Sequence, residues 1–254
     1  MFFNRRYFLS IKIKNAYNKY FYFTKLYWLL KSSSTFTEIF FYFKRSKNKK
    51  EKITKKTQLL IDGPTRSGNH FAVHYVKKFN ELSLARHYHS PGAIRLAFKK
   101  KVPTLLLIRK PIDQISSAFI YLEKKVPLKR IIKSYQVFYR KCLVAKDWYV
   151  VGSFDEIIKY PELVVGKINE KYDLRLKTVA LTSSINQAIL DDIKTSNKNE
   201  KQFSMIKMNL EMKMAAPNKD RDPSKEIIKK QLLNDYSNEL KVCNELYFKV
   251  KDQC

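Results

Sequence analysis

Residues Gln58 to Ile61 form a short apolar run that stops at Gly63-Pro64, and Gly68 follows just before a helical pattern begins at Asn69. A buried strand, a glycine-bearing loop and a helix in immediate succession leave few folds open, because the strand needs neighbours on both faces. The rest of the chain repeats the pattern. Leu84 to His89 reads as a second strand and Thr104 to Ile108 as a third, the clearest in the chain. Trp148 to Val151 reads as a fourth. Between them lie helical patterns, of which Leu128, Ile131, Ile132, Tyr135, Phe138, Tyr139 and Cys142 trace one face. Strands alternating with helices predict an α/β, P-loop-type three-layer fold, with a central, mainly parallel sheet flanked by helices.

The chain divides at about Thr57. Residues 1–56 carry 15 Lys/Arg against 2 Asp/Glu, and 16 of the 35 aromatics precede residue 44. They read as a basic, aromatic helical extension, broken near Ser32 to Thr35, and a solvated linker from Lys44 to Lys56. Residues 57–254 read as the P-loop-like domain. Asn197 to Asp222 reads as a polar loop, and the final helix as one stretch from about Ser224 to Val250. No uncharged run before residue 44 exceeds six residues, whereas a membrane span needs about 20 apolar ones. The extension suits peripheral contact with an anionic membrane through residues 1–46. The formal charge of +28 over 254 residues calls for an anionic partner. Nucleic acid is the less favoured one, since no recognition helix, RNA-binding aromatic motif or zinc knuckle is legible. The three widely spaced cysteines form no CxxC pair, and the run Tyr7 to Ile11 is shorter than a signal-peptide core. Both suggest a cytoplasmic protein.

The loop Gly63-Pro64-Thr65-Arg66-Ser67-Gly68-Asn69-His70 has the two glycines of a Walker phosphate loop at the right spacing. Asn69 and His70 stand where that motif has its lysine and its magnesium-binding hydroxyl. The loop remains an anion cradle, because N–H groups converge at a helix N-terminus. What it lacks is the equipment for magnesium-dependent attack on a γ-phosphate. A second motif follows the third strand. Arg109-Lys110-Pro111-Ile112-Asp113-Gln114-Ile115-Ser116-Ser117 reads R-x-P-x-D-x-x-x-S, and brings an arginine fork and a serine hydroxyl toward a second phosphate.

The two motifs together resemble those of the sulfotransferases that use 3′-phosphoadenosine 5′-phosphosulfate (PAPS). Thr65 to His70 is similar to the family's 5′-phosphosulfate loop, and Arg109 to Ser117 to its 3′-phosphate motif. Val150 to Leu163 is similar to a third, weaker segment. The resemblance spans about residues 57–252. It implies a sulfuryl transfer from PAPS to an acceptor hydroxyl, with a glycan or a lipid-linked glycan as the first expectation for the acceptor. It implies that Arg66, Ser67, Gly68, Asn69 and His70 hold the 5′-phosphosulfate, and that Arg109, Ser117 and Arg221 hold the 3′-phosphate. Arg66 also stabilises charge on the leaving phosphate. The acceptor's base is expected in His87-Tyr88-His89-Ser90-Pro91, with His89 first, His87 second and Glu81 distant. Alternation along a strand would place both histidines on one face. His70 and His74 lie four apart without a Glu in HExxH form, so no metal is expected. The competing readings are a kinase-like nucleotide binder, a nucleic-acid-binding protein, and a sulfotransferase fold that binds nucleotide without catalysis.

Overall fold

The computed structural model describes residues 25–44, 52–202 and 222–252. Four strands, β1 (Leu59–Asp62), β2 (Leu84–Arg86), β3 (Thr104–Ile108) and β4 (Val150–Ser153), make one sheet in the order β2-β1-β3-β4. All three pairings are parallel. β1, β3 and β4 are buried at every position. That is the signature of a sheet covered on both faces.

The helices, in chain order, are α1 (Lys25–Ser32), α2 (Ser34–Lys44), α3 (Asn69–Phe79), α4 (Pro91–Lys99), α5 (Pro111–Tyr121), α6 (Leu128–Cys142), α7 (Phe154–Lys159), α8 (Pro161–Tyr172), α9 (Ser183–Gln202), α10 (Asp222–Asp235) and α11 (Ser237–Lys251). The pleat sorts the strand side chains into two cores. Leu60, Leu106, Ile108 and Val151 face a core closed by residues of α4, α5, α6 and α11. Leu59, Ile61, Leu105 and Leu107 face another closed by α3, α8 and α9. The result is three layers, helix, sheet and helix.

Several boundaries differ from the sequence reading. β2 stops at Arg86 because His87 (φ 57°) and His89 (φ 48°) have left-handed backbone, which an extended strand cannot contain. The final helix is two, broken at Tyr236. α7 and α8 are separate helices, broken where Tyr160 turns before Pro161. α9 extends to Gln202, into the stretch read as loop.

The basic linker is only partly solvated. Ile53 is buried at 4% exposure, and its N–H donates to the Tyr88 hydroxyl at 3.0 Å. Thr57 donates its hydroxyl to the Lys52 carbonyl at 2.8 Å. A single isoleucine is enough to anchor a charged run, and periodicity cannot reveal one residue. α1 and α2 sit directly on the start of α4. The Ser90 hydroxyl donates to the Lys31 carbonyl at 2.6 Å, and Arg95 donates to the Ser32 carbonyl at 3.3 Å.

Gly92 permits that approach. A Cβ there would meet Thr37 Oγ1 at 2.2 Å, the Ser33 carbonyl oxygen at 2.5 Å and the Lys31 carbonyl oxygen at 2.8 Å. Backbone oxygens cannot rotate away, so the helices must part. Gly92→Ala is expected to lower the unfolding free energy by about 1–3 kcal/mol, the usual cost of overpacking. Denaturant unfolding measures it; an unchanged midpoint would mean that α1 and α2 do not pack on α4 in solution.

Candidate functional site

Parallel strands all point their carboxyl ends the same way, and register decides how those ends align. Asp62 pairs with Leu106, and Ile108 with Ser153. The loop after β1, the arginine after β3 and the helix after β4 therefore open on one edge of the sheet. Ligands of such sheets bind beyond this edge.

The loop after β1 holds its shape through its own side chains. Ser67, fully buried, donates its hydroxyl to the Pro64 carbonyl at 2.7 Å. The Asn69 amide donates to the carbonyls of Pro64 (3.0 Å) and Gly63 (3.3 Å) and to Ser67 Oγ (3.0 Å). Ser67 and Asn69 thus tie the loop internally. Gly68 enters α3 at φ 98°, and a Cβ on it would press on Phe154 and Ile157 at 3.2 Å. Gly63 lies so close to β3 that a Cβ would meet the Leu107 carbonyl oxygen at 2.7 Å.

Arg66 has φ 73°, a left-handed conformation that costs energy for a residue with a side chain. Its Nε donates to Ser117 Oγ at 3.0 Å. Arg109 donates to the Arg66 carbonyl at 3.1 Å. The glycine loop and the second motif, about 40 residues apart in sequence, are thus joined through Arg66. Ser117 reaches the junction from the second turn of α5.

Arg109 is supported from below. Ser153 caps α7 with a reciprocal pair of bonds: the Glu156 N–H donates to Ser153 Oγ at 3.2 Å, and the Ser153 N–H to Glu156 Oε2 at 3.0 Å. That cap sets Phe154 at the first position of α7, with its ring centroid 3.8 Å from the Arg109 guanidinium carbon. Tyr135 and Tyr139 of α6 donate to the carbonyls of Arg109 (3.1 Å) and Leu107 (3.0 Å). Burial pushes both phenols well up, so they remain protonated donors. Burial also pulls the Arg109 guanidinium down from its ordinary value, against the opposing fields of Asp113 and Asp155. An arginine has ample margin and stays charged.

The histidines gather on the other side of the loop. His70 and His87 have ring centroids 4.4 Å apart, and His87 and His89 5.8 Å. The ring of His89 meets the Gly63 carbonyl with Nδ1 at 2.7 Å. A carbonyl only accepts, so Nδ1 carries the proton and Nε2 keeps its lone pair. Beneath lies Asp62, wholly buried at the end of β1. Its Oδ1 accepts the His89 N–H at 2.9 Å and its Oδ2 the Ser90 N–H at 3.3 Å. Burial raises the Asp62 carboxyl from its ordinary value, while His89 and the N–H groups of His89, Ser90 and Gly63 oppose the rise.

Of the residues singled out from sequence, Arg66, Ser67, Gly68, Asn69, His70, His87, His89, Arg109 and Ser117 all lie along this edge. Arg221 lies outside the described residues. Among the described residues no cluster of three His, Cys, Asp or Glu has the geometry of a metal site, and no helix is long and apolar enough to cross a membrane. Sequence reasoning passed over Asp62 and Phe154. The signal for Asp62 was a carboxylate directly between an apolar run and a glycine. It also passed over Lys225 and Lys229 of α10, which reach Asp113 Oδ1 at 3.2 and 3.1 Å. Their spacing of four on a helix was legible, but not the partner.

No family model matches the chain, and no curated protein matches it. Among solved structures, the crystal structure of mouse sulfotransferase SULT7A1 complexed with PAP is similar in part. It is 11% identical over 74% of this chain and 88% of that chain, with a TM-score of 0.38. A likeness at that level carries no argument about this chain, and the geometry above stands by itself.

His70 makes this edge sensitive to acid. Its Nδ1 is buried without a hydrogen-bond partner among the described residues. Burial first, then His89, His74, Arg86 and Arg66, lower its pKa to about 4. An unfolded histidine near 6.5 binds its proton first, so stability is full above pH 6.5 and falls as pH drops toward 4. The shift corresponds to about 3 kcal/mol. His70→Phe is expected to remove that part of the pH slope. Denaturant unfolding between pH 7 and pH 4 measures it, and parallel curves for the two proteins would refute it.

Proposed function

We propose that this protein is a sulfotransferase that takes its sulfuryl group from PAPS and delivers it to an acceptor hydroxyl. The observation that carries the reading is the junction of two anion-binding elements through Arg66. On one side is the glycine loop, which runs directly into the first turn of α3, where a helix has N–H groups without intrahelical partners. On the other is Arg109, which makes no ion pair among the described residues and has its guanidinium carbon 3.8 Å from the centre of the Phe154 ring. A nucleotide with phosphates at both its 5′ and 3′ positions needs two such elements side by side; ATP needs one.

The donor set fits that group. Backbone N–H groups at the start of α3 and the Arg66 guanidinium would hold the 5′ end, and Arg109 and Ser117 the 3′-phosphate. PAPS supplies a sulfur bonded to a good leaving group. His70 would close the 5′ side or only fill the helix start. His89, with Nδ1–H on the Gly63 carbonyl, presents Nε2 as the acceptor of a proton. The acceptor oxygen forms a bond to sulfur, and the bond from sulfur to the 5′-phosphate oxygen breaks. The acceptor's proton goes to His89 Nε2. Charge that grows on the departing phosphate is met by Arg66 and the loop. His87, 5.8 Å from His89 between ring centroids, is the second candidate for the base. A glycan or lipid-linked glycan is the proposed acceptor class, and residues 1–46 a proposed membrane contact in the cytoplasm. Both rest on the sequence reading.

Calorimetry with 3′-phosphoadenosine 5′-phosphate, 5′-AMP and ATP tests the donor site. Micromolar affinity, about −8 kcal/mol, is expected only for the nucleotide with the 3′-phosphate. Arg109→Ala should weaken it about 10- to 100-fold, the range for a charged hydrogen-bond donor. Equal binding of all three nucleotides, or none, would refute the reading. With an active acceptor in hand, His89→Gln should slow transfer about 10²- to 10⁴-fold while leaving nucleotide affinity in place. A variant with full activity would return the base to His87.

A further inference from the structure

We propose that Asp62 is the positioning residue of His89: its carboxylate sets the backbone that aims the imidazole and stabilises the proton the imidazole takes up. The inference rests on the reading of His89 as the base and deepens it.

The backbone comes first. His89 holds φ 48°, which costs energy and persists only where surrounding contacts over-determine it. Those contacts are two consecutive N–H groups, of His89 and Ser90, drawn onto the two oxygens of Asp62 at 2.9 and 3.3 Å. The Gly63 carbonyl, on the residue next to Asp62, receives His89 Nδ1–H at 2.7 Å. The backbone of His89 therefore hangs on one buried side chain, and its ring on the residue beside that side chain.

Charge comes second. When Nε2 takes a proton the ring becomes a cation. The imidazoles beside it bring no counter-charge: His87 from the same loop, with ring centroids 5.8 Å apart, and His70 from α3, whose charge and that of His89 oppose each other. Asp62 Oδ1 lies 3.9 Å from His89 Nδ1, and Asp62 is wholly buried, where attraction is least screened. Nδ1 keeps its proton, hydrogen-bonded to the Gly63 carbonyl, and one proton moves, from the acceptor hydroxyl to Nε2.

A control lies on the other side of the same loop. Ser90 Oγ donates to the Lys31 carbonyl of α1 at 2.6 Å. Ser90→Ala removes that anchor and leaves both N–H bonds to Asp62.

The test is a pH titration of the imidazole nitrogens in the isotopically labelled full chain by NMR, with His89 assigned by comparison with His89→Gln. In the native protein the neutral ring of His89 is expected to carry its proton on Nδ1. In Asp62→Asn, folded by circular dichroism, the His89 pKa is expected to fall by about one unit or more, the size of a lost opposite charge at this range. Ser90→Ala should leave it within a few tenths of a unit. A neutral ring protonated on Nε2, or an unchanged titration in Asp62→Asn, would overturn the proposal. If Asp62→Asn does not fold, the native titration decides: a His89 that takes up its proton only below the pH at which a free histidine does would overturn the proposal. None of these readings needs PAPS or an acceptor, so a failed nucleotide titration and a failed Asp62 test remain separate results.

Discussion

A wholly buried carboxylate with backbone N–H groups on both oxygens is the constraint around which this edge of the sheet is built. Asp62 ends β1, and a strand end is where the ladder stops supplying partners. Its desolvation is costly unless it is hydrogen-bonded. The bonds it takes come from His89 and Ser90, in the loop that follows β2. Satisfying one side chain therefore docks that loop onto the end of β1. Because α1 holds Ser90 from outside, the basic N-terminal helices are linked to the same point.

The side that holds the glycine loop and Arg109 is built with different chemistry. Arg66 is bent into left-handed backbone so that its carbonyl meets Arg109 and its side chain meets Ser117. Arg109 has the Phe154 ring 3.8 Å from its guanidinium carbon and makes no ion pair among the described residues, while the fields of Asp113 and Asp155 favour its charge. Asp113, the nearest acid in the motif, is engaged by Lys225 and Lys229. The two halves of the site thus differ in sign. One gathers the positive charge of Arg66 and Arg109, and the other buries a carboxyl beneath an imidazole. The proposed transfer, which leaves a phosphate on one side and takes a proton on the other, would use that asymmetry.

Much of the architecture was legible because burial and periodicity are local signals. β3 is bounded by Thr104 and Ile108 as read, since an uninterrupted apolar run suits only a strand covered on both faces. The glycine spacing announced the loop. What failed were places where one residue overrides a pattern. His87 and His89 look like alternating strand positions, yet tertiary hydrogen bonds pull both into left-handed backbone and end β2 early. Ile53 looks like an accident in a lysine run and is a core residue.

By itself the sequence determined the order of strands and helices, the two polar motifs and the distance between them, because each depends on residues close along the chain. It also concentrated four histidines within 20 positions. Only the tertiary structure decided that Arg66 would join the motifs, that Phe154 would lie under Arg109, and that Asp62 would hold His89. Each of those contacts joins residues from different strand ends. Their meeting is set by the register of a parallel sheet, and register is a property of paired strands that no single strand encodes.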